Sequence, residues 1–146
     1  MVKKILLLSS LLLINTSSSA KQLNNYDEVQ QSVKNGERVT FVVETAMCSV
    51  NMDIPAFLFS WTPDGFAMTE KVGLRARGMT YTPENSAFPQ TGPVYQSYTY
   101  TLNKSGNLHF SNRFLDPVTF AEKAKSIEVD CQLGNGARIY SLSHSY

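Results

Sequence analysis

The side chains able to do chemistry are few. Two histidines, His109 and His144, can exchange protons near neutral pH. A nucleophilic mechanism would need one of them beside a placed serine and an orienting carboxylate. Serines are plentiful, but the chain has no Gly-x-Ser-x-Gly elbow. His109 falls on the polar side of a predicted hairpin and His144 is third from the C-terminus, so both are expected to face solvent. Glu128 and Asp130 share one strand face and could attract a cation, although a solvated outer face accounts for them. The sequence holds no His-Glu-x-x-His, no calcium loop, no P-loop and no Gly-x-Gly-x-x-Gly. The expectation is no catalytic set, no metal ligand and no cofactor.

Recognition is better served than reaction. Arg75 and Arg77 stand two apart on a predicted strand and share a face. With Tyr95, Tyr98 and Trp61 they form a possible face for a ligand or partner, such as a phosphate, a carboxylate or an acidic protein. Tyrosines and phenylalanines crowd the middle of the chain, and Phe57, Phe59 and Trp61 make a second cluster. A β-rich core uses most of them, and the surplus suits a pocket or a binding face. The partner, protein or small molecule, is not identified by these residues.

Several elements must position these groups. Asn25 suits a helix N-cap, Asp27 and Glu28 its first turn, and Gly36 its end, so a helix is predicted over 25–35. Leu23, Tyr26, Val29 and Val33 give it one apolar stripe. Arg38 to Thr45 reads as a strand, with alternation loose enough for burial on both faces. Ile54 to Trp61 is apolar, and Pro55 places its start at a sheet edge or bulge. Phe66 to Tyr81 reads as strand-like after the turn at Thr62-Pro63-Asp64-Gly65, and 82–93 as an irregular loop. Asn103-Lys104-Ser105-Gly106 suits a three-residue hairpin loop with Gly106 left-handed. That register pairs Leu102 with Leu108, Tyr100 with Phe110 and Tyr98 with Asn112 on one face. Thr101 with His109 and Thr99 with Ser111 then fall on the other. Residues 117–126 read as a loop or a single helical turn. A second hairpin is predicted from Ser126 to Tyr140 around Gly134-Asn135-Gly136, pairing Leu133 with Ala137, Cys131 with Ile139 and Val129 with Ser141.

The N-terminus reads as an address. Lys3 and Lys4 precede an apolar run from Ile5 to Ile14, and Ser18 and Ala20 put small residues before a cut at Lys21. The run would rise about 15 Å as a helix, half the hydrocarbon core, so it is not expected to span a membrane. No cysteine follows the cut, so no stable membrane anchor is expected. Lys and Arg total 13 against 12 Asp and Glu, which does not suit a nucleic-acid binder. Losing Lys3 and Lys4 leaves a charge of about −1. Cys48 and Cys131, an even count in an exported chain, are expected to form one disulfide. Their spacing excludes a Cys-x-x-Cys redox motif.

Three segments carry a resemblance: YDEVQQSVKNGERVTFVVETAMC at 26–48, YQSYTYTLNKSGNLHF at 95–110 and VDCQLGNGARIY at 129–140. Together with the leader they make the chain resemble the VirK family of small exported bacterial proteins. The resemblance implies a link to virulence and host association in Gram-negative bacteria, with no settled biochemical activity and no catalytic residues to carry over. It also implies the pairing of Cys48 with Cys131.

The expected organisation is a signal peptide over 1–20 and a single domain over 21–146. The expected fold is α+β, with a short N-terminal helix packed on a mainly antiparallel sheet of about six strands and one disulfide. The expected function is an exported, non-enzymatic binding or accessory protein, periplasmic or secreted. A small secreted hydrolase, or an inhibitor or chaperone of another exported protein, are the alternatives.

Overall fold

A computed structural model describes residues 20–85 and 88–142. Residues 1–19, which hold the basic and apolar parts of the expected leader, and His144 lie outside the described residues.

The helix α1 spans Tyr26–Lys34. The Asn25 side chain accepts from the Glu28 amide at 3.0 Å, and the Glu28 carboxylate accepts from the Asn24 amide at 3.1 Å. This exchange satisfies amides that an isolated first turn leaves without partners. Lys34 stands in the last turn, where the helix dipole favours a cation. Tyr26 and Val29 are buried with Leu23 in the main core, as the apolar stripe requires.

The central hairpin joins β7 (Val94–Leu102) to β8 (Asn107–Leu115). Its pairs are Leu102 with Leu108, Tyr100 with Phe110, Tyr98 with Asn112, Thr101 with His109 and Thr99 with Ser111, as expected. The Asn103 carbonyl oxygen on the side chain accepts from the amides of Ser105 and Asn107, which closes the loop with Gly106 at φ 83°.

The strand count overturns the expected six-strand α+β architecture. One mixed sheet holds ten strands, and α1 is the single α-helix among the described residues, so the fold is mostly β. The extra strands have local causes. The run from Phe66 breaks into β5 (Phe66–Thr69) and β6 (Gly73–Thr82), paired antiparallel with Phe66 opposite Ala76. β9 starts at Glu122, not Ser126, and runs to Leu133. Two short strands, β1 (Ala20–Leu23) and β3 (Ser49–Val50), carry too few residues for a visible period. β2 is Arg38–Glu44, and its burial alternates strictly, with Val39, Phe41 and Val43 inward, so it is not buried on both faces. β4 is only Leu58–Trp61, and it ends the sheet order, as Pro55 suggested.

The second predicted hairpin does not form. β10 (Gly136–Leu142) meets β9 only at Gln132/Gly136 and Leu133/Ala137, in a parallel sense. It then runs between β2 and β1, antiparallel to both, with Ile139 opposite Phe41 and Leu23. Beside Val129 and Asp130 the edge of β9 is taken by β3, not by β10. The Cys48–Cys131 disulfide ties these same two strands, since Cys48 immediately precedes β3. β10 therefore leaves β9 for longer ladders elsewhere.

The sheet curls so that its β2–β4 end covers β7 and β8. Phe41 on β2 stacks on Tyr100 of β7 with centroids 5.0 Å apart. Phe59 on β4 lies 4.6 Å from Phe110 of β8, and Trp61 stacks 4.9 Å from Tyr100. The aromatic load of the sequence thus fills the space between the two arms of one sheet, in the offset and tilted geometries that aromatic rings favour.

Candidate functional site

The curl leaves a cleft of about 280 Å³ between β4 and strands β6 to β9. Phe57, Phe59 and Trp61 form one wall, and Tyr98, Tyr100 and Phe110 the other. Period-two alternation brings these rings inward, because Tyr98, Tyr100 and Phe110 share the inner face of the hairpin. Gly78 on β6 lets Trp61 come close, since a Cβ there would overlap the indole ring.

One end of the cleft is polar. Gln96 Oε1 accepts from the Tyr98 hydroxyl at 3.1 Å and from Asn112 Nδ2 at 3.0 Å, while Gln96 Nε2 donates to Thr82 at 2.8 Å. Two donors on Gln96 Oε1 fix the Gln96 amide, and that in turn directs the Asn112 nitrogen toward it. Asn112 is 7% exposed, and its Oδ1 is buried with no hydrogen-bond partner. Native structures rarely leave a buried acceptor so.

None of the described side chains lining the cleft is charged. Burial pushes the Tyr98 hydroxyl pKa up. Burial, with Tyr98 beside it, raises that of Tyr100 far more. Both phenols stay neutral under physiological conditions. The cleft can therefore grip an uncharged group through ring contacts, with the hydroxyls of Ser60, Thr80, Tyr98 and Tyr100 among its lining.

The sequence model of the VirK protein family matches residues 22–120. The chain belongs to the VirK family. The crystal structure of a VirK family protein from Legionella pneumophila is similar in fold, with a TM-score of 0.72 at 19% identity, over 81% of this chain and 97% of that one. No curated protein matches the chain.

In this VirK family member the five candidate face residues are divided between the two sides of the sheet. Trp61 and Tyr98 line the cleft. Arg75, Arg77 and Tyr95 lie on the outer face, one residue out of phase with the inward Leu74, Ala76 and Tyr100. Tyr95 stacks on Phe120 at 5.8 Å and meets the edge of Tyr81 at 5.5 Å. Arg77 is exposed, whereas Arg75 is half-buried and its Nε has no partner. Neither arginine joins an ion pair among the described residues.

The same outer face gathers His109 with Glu128 and Asp130. His109 Nδ1 lies 2.8 Å from Asp130 Oδ1, and its Nε2 3.2 Å from Glu128 Oε2. The Ser111 hydroxyl donates to the other oxygen of Glu128 at 3.0 Å. These are the residue types of a hydrolytic triad, but the geometry is different. Both imidazole nitrogens face carboxylates, and Ser111 gives its proton to Glu128, so no imidazole lone pair is directed at the serine. The set sits on a strand face with His109 44% exposed, so it reads as a surface charge clamp. Among the described residues no group of three His, Cys, Asp or Glu side chains is placed to hold a metal ion. No helix of the described residues is long and apolar enough to cross a membrane.

Sequence reasoning missed Asn112, Gln96, Thr80 and Ser60 as parts of the cleft. The signal was present in the hairpin register: Asn112 opposite Tyr98, and Gln96 two residues before Tyr98, break the inner stripe of Tyr100, Leu102, Leu108, Phe110 and Phe114.

Proposed function

We propose that this VirK family protein is an exported, non-enzymatic binding protein with a virulence or host-association role, and that the aromatic cleft holds its ligand. The observation that supports the reading is the cleft itself, a concave, mostly apolar site with a small convergent polar end. The Cys48–Cys131 disulfide suits an oxidising compartment, and the basic and apolar leader before Lys21 suits export of a single domain over 21–146.

The test uses protein taken from the periplasm and from the medium. Intact mass is expected to show a start at Lys21 and a gain of about two hydrogens on reduction. Denaturing the native protein is expected to release a small molecule that the folded variant Thr80→Phe does not carry, because Thr80 is an exposed residue at the cleft. An unprocessed chain with two free thiols overturns export. Identical extracts from both proteins, or turnover by pure protein that one side-chain change abolishes, overturn the binding reading.

A further inference from the structure

We infer that the cleft takes a neutral sugar ring, with the C–H face of the sugar on the aromatic wall and its hydroxyl rim on Thr80, Gln96 and Tyr98. The inference rests on the binding role proposed for the cleft and names the class of its ligand.

Size sets the first limit. A dry cavity of about 150 Å³ accepts benzene, and pockets for drug-sized ligands start at about 300 Å³. At about 280 Å³ this cleft has room for one or two rings and little more. Charge sets the second. A carboxylate, phosphate or ammonium entering here would lose its hydration and meet no opposite charge among the described lining residues.

The groups a ligand can reach set the third limit. Thr80 and Gln96 are direct partners across β6 and β7, and Tyr98 follows Gln96 on the same inner face, so the three make one neutral polar patch. The Thr80 hydroxyl is exposed and makes no hydrogen bond among the described residues, so it can both donate and accept. Gln96 Nε2 gives one hydrogen to Thr82 and keeps a second. The Tyr98 hydroxyl has given its proton to Gln96 and keeps lone pairs to accept with. Ser60 adds an exposed residue to the lining, and Tyr100 a deep hydroxyl on a residue 1% exposed. Asn112 Oδ1 is buried beyond the reach of a ligand and does not enter the count.

The rest of the wall is rings, with Phe57 36% exposed and Phe59 and Trp61 partly so. An aliphatic chain would take water from Thr80, Gln96 and Tyr98 and return nothing. A phenol or an indole brings a single polar group to three. A pyranose has both halves: a face of C–H groups to lie on a ring, and a rim of uncharged hydroxyls that donate and accept.

Trp61 is the sole tryptophan of the chain and lines the cleft, so its fluorescence reports occupancy. The probes are glucose, galactose, mannose, N-acetylglucosamine, glucuronate and cyclohexanol, each titrated into the full mature protein. A saturable change is expected with at least one of the four neutral sugars. Cyclohexanol, a ring of the same size with one hydroxyl, is expected to bind at least about tenfold more weakly, and glucuronate to give no change in the same range. Thr80→Val keeps the shape and is expected to weaken the best sugar about tenfold. Thr99→Val, on the outer face of β7, is expected to leave it unchanged. If Thr80→Val does not fold, the comparison of sugars with cyclohexanol on the unaltered protein decides. Cyclohexanol binding as tightly as any sugar, or equal losses in the two variants, overturns the sugar assignment and leaves the cleft as a ring site. Tightest binding of glucuronate overturns the neutral class. No change with any probe overturns the inference, and the extract comparison with Thr80→Phe then shows separately whether the cleft binds anything.

Discussion

The indole of Trp61 rests against the backbone of Gly78, in the space that a Cβ at Gly78 would occupy. The contact joins β4, at one end of the sheet order, to β6, near the other. It holds Trp61 in its stack on Tyr100 and so sets the width of the cleft. Gly78→Ala is expected to push the ring outward and cost about 1–3 kcal/mol, as overpacking does. Urea denaturation would show the loss, and the emission of Trp61 would shift toward that of a solvated indole. Unchanged emission and stability would mean that the close approach does not govern the ring.

The Cys48–Cys131 bond closes a loop that contains β3 to β8. Replacing both cysteines by alanine is expected to cost about 2–5 kcal/mol. The wild-type protein under reducing conditions should melt close to that double variant. If reduction and the double replacement both leave the urea midpoint in place, the native contacts alone hold β3 on β9.

Asp116 gives a pH signature. The amides of Thr119 and Val118 donate to its carboxylate, each at 2.9 Å, and the Thr119 hydroxyl adds a third donor. The backbone bonds from Thr119 and Val118 outweigh the slight desolvation and, with Lys123 nearby, hold its pKa below the ordinary value of 3.8. A carboxylate whose pKa is depressed by folding stabilises the native state above its unfolded pKa, and the benefit disappears as pH falls through the folded pKa. The melting temperature of wild type should therefore exceed that of Asp116→Ala at neutral pH, and the gap should narrow once pH drops below about 4. A gap that stays constant down to about pH 2 would remove the ionised carboxylate from the stability of the 116–121 turn.

The sequence read the cleft only partly, and the reasons are physical. Trp61 and Tyr98 were both singled out, and they do meet, with ring centroids 6.2 Å apart. Tyr95 could have been separated from Tyr98 by parity alone, since residues three apart in one strand point to opposite faces. Arg75 and Arg77 share a face as expected, but that face is the outer one, away from the cleft. The pairing of His109 with Glu128 and Asp130 depends on β9 lying beside β8, which no local pattern near His109 states.

What the sequence determined by itself lies within short stretches of chain. The cap of Asn25 with Glu28, the loop at Asn103–Gly106 and the register of the central hairpin each follow from residues a few positions apart. The disulfide was expected from the even cysteine count together with the leader-like N-terminus. Only the tertiary structure decided which strand β10 would join, because β2 and β1 compete for it against its own neighbour β9. It also decided that one sheet would curl until Phe41, Phe59 and Trp61 covered Tyr100 and Phe110. Such choices are settled by comparing whole ladders and whole buried faces drawn from distant parts of the chain, and neither turn chemistry nor a two-residue period contains that comparison.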